Sequence, residues 1–213
     1  VWRCRGPNEV IDRMVEARAN GATIVINHPF QNSAGGKWQS GFDGPFDALE
    51  IWNGLWTPMN AQALAFWQEL LAAGRQIPIT GGSDFHLKNR RRHGHPSNRL
   101  RATGSSIADI LSAVRAGRNV VSFSPHDLTA EPIGAEHPDF GSRAPTGTPI
   151  AVCFDGLANG DEIRLVDETG YGETVRPEAG RFTLETRLSG RFLRFEVWHG
   201  DEARLFTNPF YAE

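Results

Sequence analysis

The sequence predicts an α/β fold, with a partial (βα) barrel in residues 1–125 and a small antiparallel β-sandwich in residues 126–213. Helical and apolar extended segments alternate in the first part, which indicates a mainly parallel sheet. Three of its strands carry polar, ligand-type residues at or near their carboxyl ends, where α/β folds place their sites. From about His126, helical periodicity disappears and short alternating runs appear between glycines and prolines, which favours a sandwich.

The first part of the chain contains three predicted helices. The first runs from Pro7 to Asn20, because proline suits a first turn and an apolar stripe follows it at helical spacing. The second spans residues 59–74, and the third starts at a capping serine, Ser105 or Ser106, and ends near residue 116. The strands expected around these helices are residues 22–26, 47–53, 76–84, 98–103 and 119–123.

The second part contains short runs in which apolar and polar residues alternate. The polar partners are expected to face solvent at period two, in a sandwich of six or seven strands. The runs that indicate strands are residues 148–154, 161–166, 181–186, 192–198 and 203–206.

Composition excludes several classes of function. A net charge of −3 over 213 residues argues against a dedicated nucleic-acid binder. No apolar run approaches the roughly 18 residues that span a membrane, so we expect neither nucleic acid nor membrane as a partner. Cys4 and Cys153 are too few and too far apart for a disulfide framework or a cysteine zinc site. The sequence does not determine the cellular location of the protein, and the cytoplasm is favoured.

The stretch from Gly81 to His86 carries the clearest chemical signal. Side chains two apart in an extended segment point to the same side, so Asp84 and His86 can reach one point in space. A carboxylate oxygen with an imidazole nitrogen suits Zn, Mn or Fe. Taken alone, the pair is equally compatible with a loop aspartate and an ordinary surface histidine.

Two upstream strands offer further polar residues. His28 directly follows the apolar strand at residues 22–26, and Glu50 lies inside an apolar strand that ends at Asn53. A glutamate buried in such a strand needs a cation, a metal-bound histidine or a hydrogen-bond donor. Because three parallel strands would deliver these residues to one edge of the sheet, we expect them to converge with Asp84 and His86.

The loop after His86 is rich in arginine and histidine. Arg92 and His95 are candidate substrate contacts, because a positive loop beside a metal site would attract a phosphate or a carboxylate. A solvated run of charges is the alternative interpretation of the same residues.

Together, the residues at 27–29 (Asn-His-Pro), 49–53 (Leu-Glu-Ile-Trp-Asn) and 82–86 (Gly-Ser-Asp-Phe-His) resemble the later part of a PHP-domain metallohydrolase. PHP stands for polymerase and histidinol phosphatase. The CehA/McbA-like group is the most similar branch, since there a helix and a small β-domain follow the metal domain. In this chain the corresponding features are a helix that closes with Ala-x-x-x-Gly-Arg at residues 113–118, followed by a β-rich tail.

The resemblance implies a PHP-type barrel and divalent ions, Zn, Mn or Fe, held by His28, Asp84 and His86. Glu50 and Asn53 would orient these ligands without binding the ion themselves. The implied reaction is hydrolysis of a small-molecule phosphoester, or of another ester such as a carbamate, by a water that the metal activates.

One departure from the family pattern concerns its His-x-His strand, which no residues before His28 match. The chain also opens with a helix and then a strand, the second half of a βαβ step. We therefore expect the carboxyl-terminal part of a longer protein, with an incomplete site.

Two classes of function follow from the sequence. One is a metal-dependent hydrolase, with phosphoesters favoured, that an additional amino-terminal segment completes. The other is a non-catalytic PHP remnant joined to a β-sandwich, acting as an interaction or assembly module. A bare sheet edge would favour pairing with that segment or in a homodimer.

Overall fold

The computed structural model describes residues 6–31, 38–86, 93–134 and 138–213. Within these ranges the chain is mixed α/β, with three helices and fourteen strands, so the predicted α/β class is confirmed. The described strands form several separate sheets, and none of these sheets closes into a barrel. No described helix combines the length and the apolar character that crossing a membrane requires.

Helices and strands are numbered in chain order. The helices are α1 (Pro7–Ala19), α2 (Pro58–Ala72) and α3 (Ile107–Arg115). The first seven strands are β1 (Val25–Ile26), β2 (Ala48–Asn53), β3 (Ile79–Gly82), β4 (Ser97–Leu100), β5 (Asn119–Ser122), β6 (Thr129–Pro132) and β7 (Arg143–Ala144). The others are β8 (Pro149–Leu157), β9 (Asp161–Asp167), β10 (Gly170–Val175), β11 (Gly180–Arg187), β12 (Phe192–His199), β13 (Glu202–Thr207) and β14 (Phe210–Ala212).

A small parallel sheet, in the order β1-β2-β3, forms the part of the fold that carries the predicted ligands. Its register pairs Val25 with Ala48 and Leu49 with Ile79. Strand β2 is buried along its whole length, and α2 packs on it through an apolar cluster that includes Trp67. Because the strands are parallel, the segments that leave β1, β2 and β3 all emerge at one edge of the sheet.

The mainly parallel sheet predicted for residues 1–125 is observed for β1, β2 and β3 but does not extend to β4 and β5. These two strands pair antiparallel with each other, and β5 pairs antiparallel with β13. The outer edge of β3 is instead met by asparagine side chains. Asn98 accepts from the N–H of Gly81 and donates to its C=O, at 3.0 and 2.7 Å. Asn208 accepts from the N–H of Ile79 and Asn119 donates to its C=O, at 3.0 and 2.9 Å.

A large sheet joins both parts of the chain. Its strand order is β10-β9-β12-β13-β5-β4, with β14 beside β12 and β7. A third sheet, β11-β8-β6, shares a hydrophobic cluster with one face of the large sheet through residues such as Phe154 and Phe195. The other face packs on the parallel sheet and α2 through Trp198 and Phe206. The large sheet thus draws strands from both sides of the predicted domain boundary at residues 125 and 126, and that boundary stays a prediction.

Strand β12 departs from the expectation that its polar residues face solvent. Arg194 and Glu196 are both buried, 1% and 0% exposed, and form an ion pair. The Arg194 guanidinium lies 4.7 Å from the centre of the Trp67 ring and donates to Gln68 Oε1 at 2.8 Å. The prediction fails here because α2 covers the face of β12 on which these two residues lie.

Candidate functional site

The carboxyl edge of the parallel sheet brings together residues from three separated segments. His28 follows β1, Glu50 and Asn53 belong to β2, and Asp84 follows β3. His28, Glu50 and Asn53 line a cavity of about 210 Å³, together with residues of the loops and of α2. We refer to this cavity and its edge as the strand-end site.

Glu50 is the buried centre of the strand-end site, with 6% of its surface exposed. Its Oε2 accepts the backbone N–H of His28 at 2.6 Å and the side-chain amide of Asn53 at 3.3 Å. Burial raises the pKa of Glu50 above 4.5; the His28 and Asn53 contacts oppose this rise, and the nearby Asp84 carboxylate adds to it. The hydrogen-bond donors that a buried glutamate needs are therefore present in the chain itself.

Two residues of the strand-end site have left-handed backbone. The φ angles are 33° at His28 and 47° at Asp84, and every other described residue with positive φ is a glycine. This conformation is unfavourable for most residues that carry a Cβ, although aspartate and histidine adopt it more often than the others do. Such strain persists where the surroundings impose it, and it clusters at functional sites. Here it falls on two of the three predicted metal ligands.

Asp84 and His86 lie together, as the sequence predicts, but for a different reason. Strand β3 ends at Gly82 and Asp84 is left-handed, so alternation along an extended strand is not what aligns the two side chains. His86 Nε2 lies 3.3 Å from Asp84 Oδ1, with side chains 79% and 23% exposed. Neither residue lines the cavity; Asp84 lies near enough for its charge to raise the pKa of Glu50, whereas the His86 side chain is largely in solvent.

The donor atoms suit a divalent metal, but their number does not complete a site. Imidazole nitrogen and carboxylate oxygen are the ligands that Zn, Mn and Fe accept. Across the described ranges, however, no group of three or more His, Cys, Asp and Glu side chains is placed to hold an ion. Glu50 already accepts two N–H groups through one oxygen, which fits a residue that positions others.

The two predicted substrate contacts have different outcomes. Arg92 lies outside the described residues. His95 is described, but it does not line the cavity of the strand-end site. Its Nδ1 lies 2.9 Å from the His93 carbonyl, and its ring meets Phe123 edge-on at 5.3 Å. Phe123 belongs to a neighbouring cleft of about 560 Å³, and Leu55 borders both spaces.

Two supporting residues have roles that sequence reasoning did not assign. Asn60, in the first turn of α2, accepts the N–H of Asn53 at 3.1 Å and donates to the Leu55 carbonyl at 2.9 Å. Gly82 leaves room for Glu50, since a Cβ there would lie 2.6 Å from Glu50 Oε1. The only sequence signal for either role is the Gly81-Gly82 pair, because glycine leaves room for a neighbouring side chain.

Comparisons with known proteins leave the family open. No family model matches this chain, and neither a curated protein nor a solved structure matches it. The PHP resemblance therefore rests on the sequence motifs, and membership of that family stays a prediction.

Proposed function

We propose that this chain contributes the strand-end site of a metal-dependent hydrolase, with phosphoesters as the favoured substrate class. The observation that carries the proposal is the left-handed backbone of His28 and Asp84, which follow the two strands on either side of β2 and its buried carboxylate, Glu50. An unfavourable conformation at two such positions is costly for a fold that gains nothing from it.

His28, Asp84 and His86 would supply part of the ligand set for Zn, Mn or Fe. The PHP resemblance implies that a His-x-His segment supplies further ligands. A bound divalent ion would lower the pKa of a water and stabilise the charge that develops on the substrate.

The chain's own residues would position these ligands. Glu50 accepts the His28 N–H and so fixes the turn from which the imidazole projects. Asn53 donates to Glu50, and Asn60 holds the end of β2 through the Asn53 backbone. This arrangement is typical of the hydrogen-bonded support that metal ligands receive from the residues behind them.

The finer fold assignment is part of the same proposal. We regard β1, β2 and β3 as a fragment of a PHP-type barrel, supported by their parallel order and by the ligand-type residues at their carboxyl ends. Polar residues at that end are where α/β barrels place their chemistry.

The experiment that tests the proposal is metal content per chain, by elemental mass spectrometry, on protein purified without chelators. The variants are Asp84→Asn and His28→Asn, because asparagine tolerates left-handed backbone but lacks the native donor atom. His126→Ala and His199→Ala, two exposed histidines away from the strand-end site, are the controls.

We expect Zn, Mn or Fe in the wild type and in both controls, and a large loss in Asp84→Asn and His28→Asn. Phosphoester and carbamate substrates would then be screened with the metal-loaded protein. Equal metal content in Asp84→Asn and His199→Ala would contradict the assignment.

A non-catalytic interaction or assembly module is the second candidate function. It is favoured by one observation, that the described part of the chain groups no three metal-ligating side chains. This alternative predicts no bound metal in any variant and a stable dimer or partner complex. Light scattering at micromolar concentration, with and without chelator, separates it from the hydrolase.

A further inference from the structure

A second cleft, rich in arginine, lies on β4 and β5. Asn98 of β4 directs its side chain to Gly81 of the parallel sheet, so the alternation of the strand turns the next residue, Arg99, to the opposite face. On that face a cavity of about 210 Å³ is lined by Arg99, Arg101 and Arg118 and by the carboxylates Glu131 and Asp139. We call this cavity the arginine cleft.

Two of these arginines are placed directly opposite each other. The register of β4 and β5 pairs Leu100 with Asn119, and the N–H of Arg101 donates to the carbonyl of Arg118 at 2.8 Å. Arg101 and Arg118 are therefore the next pair across the two chain segments. Like charges in directly opposite positions are destabilising, so this pair calls for an anion between or beside the guanidinium groups.

The carboxylates of the cleft do not fully neutralise its three arginines. Arg99 lies 3.6 Å from Glu131 and Arg101 lies 3.7 Å from Asp139, both longer than hydrogen bonds. Arg118 forms no ion pair with any described carboxylate, and its buried Nε has no hydrogen-bond acceptor among the residues that the structure describes. A buried donor without an acceptor is rare, and because less than 1 Å² of this nitrogen is exposed, the terminal N–H groups of Arg118 are the ones that can meet an anion in the cleft.

We infer that the arginine cleft binds a small oxyanion, a phosphate group or a carboxylate, between Arg101 and Arg118. Guanidinium groups donate in a planar fork that matches the oxygen atoms of both anions. The anion would relieve the repulsion of the opposed pair by accepting from the terminal N–H groups of the two guanidinium groups. The cleft shares no lining residue with the strand-end site, so the inference is independent of the proposed hydrolase.

The test is an anion titration of the full chain at constant ionic strength, with chloride as the balancing ion. Inorganic phosphate and acetate are the two probes. The readouts are the Nε–H signal of Arg118 in the ¹⁵N-labelled protein and the thermal unfolding midpoint. Arg118→Gln and Arg101→Gln are the test variants. Arg187→Gln removes an exposed arginine that donates to the Gly147 carbonyl, far from the cleft in sequence, and is the control.

As either anion is added, we expect a saturable shift of the Arg118 Nε–H signal and a rise in the unfolding midpoint. Both responses should be the same in Arg187→Gln as in the wild type. Affinity should fall about tenfold or more in either test variant, the effect of losing one hydrogen bond to a charged group. Saturation with phosphate alone assigns a phosphate group, and saturation with acetate alone assigns a carboxylate.

Two results would overturn the inference: no saturable response to either anion, or the same response in Arg101→Gln as in the wild type. Should Arg118→Gln fail to fold, Arg101→Gln still decides the question, because the Arg101 side chain is 66% exposed.

Discussion

Replacement of Glu50 is the sharpest test of how the strand-end site is held together. Glu50→Ala removes the acceptor for the His28 N–H and for the Asn53 amide. Each of these two donors, left without that acceptor, costs about 1–3 kcal/mol. Part of this cost is offset because the buried carboxylate is no longer desolvated. We therefore expect a decrease of about 2–4 kcal/mol in the free energy of unfolding.

Glu50→Gln keeps one acceptor oxygen and nearly the same shape, so it should lose only about 1 kcal/mol. The assay is urea denaturation followed by tryptophan fluorescence, since the chain has six tryptophans and Trp52 lies two residues from Glu50. Glu185→Ala, at an exposed position of β11, is the control and should stay within about 0.5 kcal/mol of the wild type.

The pH dependence of the same variants tests the burial of the carboxylate. Burial raises the pKa of Glu50 above 4.5, so the folded protein keeps this proton to higher pH than the unfolded chain does. The contribution of Glu50 to stability therefore falls as pH rises from 4.5 through the folded-state pKa. Glutamine does not titrate, so the stability lost in Glu50→Gln should be largest at acid pH and smaller at neutral pH. A loss that stays constant or grows with pH would refute this reasoning, as would a Glu50→Ala variant no less stable than the control.

Substitutions at three further residues test the neighbouring contacts. His28→Val should be about 1–2 kcal/mol less stable than His28→Asn in urea denaturation, because a β-branched residue is strained at positive φ; equal stabilities would contradict the left-handed turn. Asn208→Ala should cost about 2–4 kcal/mol, since it removes the acceptor for a buried N–H of β3 and a donor to β5, and Asn208→Asp should recover none of that loss, because it places a buried carboxylate against two oxygens of Asn119. Gly82→Ala should cost about 1–3 kcal/mol and lower metal content, because its Cβ would displace Glu50; Gly172→Ala, whose Cβ would meet no atom closer than 3.6 Å, should change neither.

The sequence predicted the helices well because their ends are marked by local chemistry. Pro7 begins α1 as expected, and Ser106, one of the two predicted capping serines, caps α3 and forms a capping box with Asp109. The ten predicted strands all overlap observed ones, since apolar runs bounded by glycine and proline are local signals. Strands β6, β7, β10 and β14 were not predicted, so the described part of residues 126–213 has nine strands where six or seven were expected. That His28, Glu50 and Asp84 lie at the same edge of the sheet could be predicted from the parallel order of the strands alone.

Other features could not be predicted because they depend on distant partners. The burial of Arg194 and Glu196 depends on α2, and an alternating strand looks the same whether its polar face meets water or a helix. The left-handed turns at His28 and Asp84 are set by contacts such as the Glu50 hydrogen bond, which no local pattern specifies. The asparagine that meets the Ile79 N–H is 129 residues away in sequence.

The asparagine contacts on β3 also determine where a further strand could join the parallel sheet. At Ile79 and Gly81, the outward N–H and C=O groups of β3 already bond to the side chains of Asn208, Asn119 and Asn98. A strand cannot add there without breaking four hydrogen bonds and leaving polar side chains unpaired. The opposite edge differs, because β1 pairs only with β2 among the described strands. An added strand, from another segment or from a second copy of the chain, would therefore join at β1, beside His28.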